Sequence, residues 1–104
     1  MRDCTKVLEK AINTYGEEAQ TDMMIEEMSE LTKALLKNRR NESRKTRADI
    51  IEEMADVQIM LDQMKIIYDA DDELGNYRED KLVRLAARLG IAEETAEGGL
   101  APAT

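Results

Sequence analysis

At 104 residues the chain is long enough for one domain with a modest core and too short for two. Its residues are 42% hydrophobic but only 3% aromatic, with no Phe, no Trp and seven Met, which points to helices packed through Leu, Ile, Met and Ala and disfavours a sheet core. A net charge of −8 and an isoelectric point near 4.6 exclude a nucleic-acid backbone as partner, because phosphate binding along a strand needs a basic surface.

Four helical patterns follow in chain order. Asp3 to Tyr15 carries Val7, Leu8, Ala11, Ile12 and Tyr15 at helical spacing, and Gly16 supplies a stop. From about Glu18 to Asn38 the set Met24, Met28, Leu31 and Leu35 predicts a second helix with one buried stripe. The polar run "NRRNESRKTR" is the expected connection, with Ser43 or Thr46 as N-cap of a long third helix. That helix carries Ile50, Met54, Val57, Leu61, Met64 and Tyr68 and is expected to end near Asp69. A fourth pattern, Tyr77 to Leu89, closes with Gly90 at a C′ position. The fold expected is all-α and four-helix bundle-like, with residues 1–90 as the helical domain and 91–104 as a disordered tail. No apolar run has membrane length, no signal peptide is evident, and the one cysteine, Cys4, cannot close an internal disulfide, so a soluble, cytoplasmic chain without a membrane partner is expected.

The phrase Ile-Glu-Glu-Met occurs twice, in "IEEMSEL" from Ile25 and in "IEEMADV" from Ile51, each time with an acid three positions after the second Glu. Glu27 and Glu30 therefore share a face of one helix, as Glu53 and Asp56 do on the next. In an antiparallel hairpin, residues whose numbers sum to the same value lie level. Glu30 with Glu53 and Glu27 with Asp56 both sum to 83, with the midpoint in the expected turn. Four carboxylates at one height beside an apolar stripe repel unless cations neutralise them. With no histidine in the chain, an all-oxygen ligand set favours Mg²⁺, with Mn²⁺ as a substitute, and Mg²⁺ held by a few carboxylates usually completes its shell with water and substrate phosphates.

Glu-x-x-Glu followed at a distance by Glu-x-x-Asp resembles the signature of the MazG-like all-α nucleoside triphosphate pyrophosphohydrolases. The resemblance extends to "YGEEAQ" at Tyr15–Gln20 and to "KLVRLAARL" at Lys81–Leu89, which is similar to the closing helix of small phage and prophage members. It implies hydrolysis of a nucleoside or deoxynucleoside triphosphate between the α and β phosphates, giving monophosphate and pyrophosphate. Metal ions on Glu27, Glu30, Glu53 and Asp56 would orient the α-phosphoryl group and acidify a bound water. Glu26 is a candidate base or outer partner of the catalytic Glu27, although it points about 100° away from it. Lys81, Arg84 and Arg88 resemble the family's phosphate-binding positions. Lys37, with Arg39, Arg40, Arg44, Lys45 and Arg47, forms a second basic run that is a candidate for phosphate contacts but reads first as a solvated connection near a helix C-terminus. Tyr15 is a candidate to stack on a base, or a plain core residue, and Gln20 a candidate to read a base edge.

Four short helices bury little apolar surface alone, so a homodimer or dimer of dimers is expected. A second function class is a non-catalytic helical module whose Met-rich stripes serve only to dimerise it or to bind a partner helix. Glu53 with Asp56 separates the two, because packing alone needs no carboxylates level beside the stripe.

Overall fold

The computed structural model describes residues 4–91 and the backbone of 93–94 and 100–101. It contains the four predicted helices, α1 (Thr5–Tyr15), α2 (Glu17–Arg40), α3 (Arg44–Ile67) and α4 (Asp71–Arg88). The predicted start of α1 at Asp3 lies outside the described residues. The region expected to be a tail also falls mostly outside them; within it, β1 (Glu93–Glu94) pairs antiparallel with β2 (Leu100–Ala101). The chain divides into two compact units, residues 1–69 with α1 to α3 and residues 70–104 with α4 and the strand pair.

In the first unit α2 and α3 form an antiparallel hairpin, and α1 packs against both. Gly16 joins α1 to α2 at φ 96° and ψ 152°, a conformation essentially restricted to glycine. The stop read at this position is therefore a backbone requirement. The connection between α2 and α3 is much shorter than the polar run suggests, spanning only Asn41 to Ser43. Both N-cap candidates take part in one capping box. The Ser43 side chain accepts from the Thr46 backbone N–H, and the Ser43 backbone N–H donates to Thr46 Oγ1 at 2.8 Å. Such a cap is worth about 1 kcal/mol. At the other end of α3, Asp69 turns the chain out of the helix at φ 50°, a left-handed conformation that Asp tolerates better than most residues.

The interior of this unit is thin. Among the described residues Ile12 and Met60 are its buried apolar residues, beside three buried polar ones, Gln20, Thr46 and Gln63. Gln20 and Gln63 satisfy each other, so removing one amide alone leaves a buried orphan at a cost of about 1–3 kcal/mol. The predicted stripes are only partly covered: Met24, Leu31, Val57 and Met64 are half-buried, whereas Met28, Leu35, Met54 and Leu61 are exposed. An open groove of about 500 Å³, lined mainly by Leu31, Ile51, Met54, Val57 and Leu61, lies along the hairpin.

In the second unit α4 begins at Asp71, six residues before the predicted Tyr77. The segment from Asp71 is rich in acids and holds Gly75, so it reads as loop. In the structure Asp71, Asp72 and Glu73 occupy the first turn, where negative charge is favourable. Gly90 sits at C′ as predicted, with φ 70°, and the Gly90 and Ile91 N–H groups donate to Ala87 O and Ala86 O in a Schellman closure. A Cβ built on Gly75 meets nothing within 4 Å. Gly75→Ala is accordingly expected to stabilise the α4 unit by about 0.5–1 kcal/mol, as a rise in its unfolding midpoint in urea.

Candidate metal centre

The hairpin has the register that the counting argument predicts. Gln20 Nε2 donates to Gln63 Oε1 at 2.7 Å, and those positions also sum to 83. Near the turn Thr46 Oγ1 donates to Asn38 Oδ1 at 2.7 Å, one residue from the same sum. Between these two contacts Glu27, Glu53 and Asp56 converge, each half-buried and each offering a carboxylate oxygen within 4.8 Å of the others.

Oxygens that share one Mg²⁺ at about 2.1 Å are no more than about 4.2 Å apart. The trio therefore needs to contract by at most about 0.6 Å from its 4.8 Å limit to hold such an ion. Side-chain torsions of two long carboxylates can supply that. A second observation fits a cation: Glu53 Oε2 is buried from solvent and has no hydrogen-bond partner. An oxygen of this kind is costly unless something positive meets it.

The electrostatics agree with the geometry. The Glu27 carboxyl is raised above its usual range, first by burial, then by a hydrogen bond with Asp56, then by the charges of Asp56, Glu53 and Glu26. Glu53 is raised too, first by burial and then by the charges of Asp56, Glu30, Glu52 and Asp49.

Glu30, the fourth ligand candidate, stands apart from the trio. Its Oε1 accepts from Lys33 Nζ at 3.4 Å, and its side chain is 42% exposed. It nonetheless borders the trio, since Glu30 and Glu53 together line an open cleft of about 250 Å³. Lys33, Lys37, Asp49 and Glu52 line the same cleft. Lys37 is thus the one member of the α2–α3 basic run that the structure places beside Glu53 in that cleft. Arg39 and Arg40 are exposed at the C-terminal end of α2, where positive charge is favourable, and Lys45 pairs with Asp49 at 3.3 Å. Glu26 is exposed and outside the trio, and its charge is the weakest of those acting on Glu27.

The remaining candidates separate. Tyr15 ends α1 with 68% of its surface exposed, so it is not a core residue. Gln20 is buried with its amide committed to Gln63. Lys81, Arg84 and Arg88 share a face of α4 with Leu82 and Leu85, and Arg84 Nη2 donates to Asp80 Oδ2 at 2.8 Å.

Three neighbours of the site were not picked out in the sequence. Asp49 lies one helical turn before Glu53, and Gln63 is level with Gln20, so helix spacing and the position sum would have found both. Glu52 gives no such signal, because it is adjacent to Glu53 and its approach to the cleft depends on how α2 packs. Among the described residues no helix is long and apolar enough to cross a membrane. Comparison of the chain with protein-family models, with curated proteins and with solved structures finds no match to any of them.

Proposed function

We propose that the protein is a metal-dependent nucleoside triphosphate pyrophosphohydrolase of the MazG-like type, acting as a homo-oligomer. The observation that supports this most is the convergence of Glu27, Glu53 and Asp56, with Glu53 Oε2 buried and unpartnered. The all-oxygen donor set suits Mg²⁺ or Mn²⁺, and neither histidine nor a clustered thiolate competes for a softer metal.

In this reading Glu27, Glu53 and Asp56 hold the cation, and Glu30 is available once it releases Lys33. A metal ion held by these residues would supply neutralisation of phosphate oxygens and a lowered pKa for a water at the site. Water oxygen attacks the α-phosphorus and its proton passes to solvent, the bond from that phosphorus to the α–β bridging oxygen breaks, and pyrophosphate leaves. Lys37, and Lys33 when freed from Glu30, supply positive charge to the phosphates along the cleft. Exposed Glu26 can take the proton of the attacking water only through solvent or a side-chain swing, so it ranks below the trio. Lys81 and Arg84 on α4 and the exposed ring of Tyr15 remain candidates for phosphate and base contacts.

The partly uncovered stripes of α2 and α3 favour self-association, which both an enzyme and a plain helical interaction module would show. The discriminating experiment is pyrophosphate release from the eight common ribo- and deoxyribonucleoside triphosphates with Mg²⁺ or Mn²⁺. Metal-dependent release from at least one of them is expected. No turnover with either ion would leave the interaction module as the reading.

A further inference from the structure

Beyond the acids, one hydrogen bond between two buried side chains joins α2 to α3, whereas the Thr46 Oγ1–Asn38 Oδ1 and Thr21 Oγ1–Met64 Sδ contacts between the same helices are only part-buried. Gln20 and Gln63 are both buried, and Gln20 Nε2 donates to Gln63 Oε1 at 2.7 Å, while Gln63 Nε2 donates to Met60 Sδ at 3.7 Å. Gln20 lies seven residues before Glu27, and Gln63 lies seven residues after Asp56. That is two helical turns along one face of each helix, roughly 10 Å. The amide pair and the Glu27–Asp56 pair are successive rungs of one antiparallel ladder.

The apolar residues around these rungs do not choose the register by themselves. Met24, Met28, Leu31 and Leu35 recur at intervals of three and four, as do Ile50, Met54, Val57, Leu61 and Met64. Sliding one helix by a turn again sets apolar against apolar, and Met adapts readily to new neighbours. The acids oppose the register observed, since it gathers Glu27, Glu53 and Asp56 together. An amide pair carries no such degeneracy. A one-turn slip leaves two buried amides without partners, the same logic by which one buried Asn fixes the register of a coiled coil.

We infer that the Gln20–Gln63 pair is the register lock that holds Glu27 level with Asp56 and so presets the metal centre. Both are positioning residues, and Gln20 acts through the helix pair in place of contact with a base. The consequence for metal rests on the proposed function; the lock itself rests on the hairpin alone.

The test uses the full chain in a Cys4→Ser background with nitroxide labels at Asp22→Cys and Ile59→Cys, two exposed positions near the amide rung. Labelled protein is diluted into unlabelled protein, and the interlabel distance is measured beside the Mn²⁺ affinity of the unlabelled chain. The parent is expected to give one narrow distance. In Gln20→Leu/Gln63→Leu the distance is expected to broaden or shift by about one turn, ~5 Å, and Mn²⁺ affinity to fall about 10–100-fold. Each single Leu variant orphans one amide and is expected to melt lowest, with stability recovered in the double variant while affinity is not. That separation distinguishes positioning from loss of folding. A double variant with the parent's distance distribution overturns the lock. A parent that binds no Mn²⁺ overturns the metal-centre reading, and the distance then decides the lock on its own.

Discussion

Replacing Glu53 with Gln is expected to have two opposite effects at neutral pH: the metal-free protein melts higher, and metal-dependent pyrophosphate release falls by at least about a hundredfold. The second effect follows from removing a proposed direct ligand, since loss of an outer-shell partner alone costs 10–100-fold. The first follows from charge. Burial, and then the charges of Asp56, Glu30, Glu52 and Asp49, hold the Glu53 carboxyl above its usual range. Glu27 is held up in the same sense, by burial and by Asp56.

The sign of the pH dependence is fixed by these directions. Between the unfolded carboxyl value, about 4, and the raised folded values, the folded state binds more protons than the unfolded state. Stability therefore falls as pH rises through that window, and the whole penalty is present once the pH lies above the raised folded values. A divalent cation that binds the folded state removes it. Mg²⁺ is expected to raise the melting temperature of the parent at neutral pH, and the increment is expected to shrink as acid protonates the same oxygens. Calorimetry of parent and Glu53→Gln in chelator and in saturating Mg²⁺ across this pH range checks all three statements. An Mg²⁺ increment equal in the two proteins, or a variant that melts lower than the parent without metal, would mean that the acids are an ordinary solvated face.

Met54→Glu is expected to dissociate the proposed homo-oligomer and to lower the melting temperature together. Met54 is 54% exposed in the single chain and lines the groove with Leu31, Ile51, Val57 and Leu61. A protomer whose buried apolar residues are Ile12 and Met60 among those described has little core of its own. Covering one such side chain in an interface is worth about 1.5–3 kcal/mol, and a charge left there unpaired costs more. The dissociation constant should rise at least about a hundredfold, since 2.8 kcal/mol is roughly that factor. Sedimentation velocity over a concentration series measures it, and the parent's melting temperature should rise with concentration while the variant's does not. A parent that is monomeric throughout the series would assign the groove to some other partner.

Much of the hairpin is legible from residue numbers alone. Helical periodicity places Met24, Leu31, Val57 and Met64 toward one another, and the position sum of 83 puts Glu27 opposite Asp56 and Gln20 opposite Gln63. The start of α4 is less legible, because Asp71, Asp72 and Glu73 look like loop residues until the preference of a helix N-terminus for acids is weighed against the cost of Gly75. The short α2–α3 turn is hidden for a similar reason. Arg39, Arg40, Arg44 and Lys45 are polar yet good helix formers, so the helices run through a stretch that reads as connection.

Sequence by itself determined that four helices form and that the acids of two of them share one height, because periodicity and chain direction depend only on residue order. Which oxygens converge was decided by the tertiary structure. Glu27 and Glu30 are three residues apart, a rotation of about 300°, so they are neighbours on the helix surface without pointing to the same spot. Packing of α3 brings Glu27 together with Glu53 and Asp56, and leaves Glu30 outside that trio, paired with Lys33. The same packing strips Glu53 Oε2 of water and gives the Gln20 amide to Gln63. Burial and partner choice are properties of two surfaces meeting, and neither surface specifies them alone.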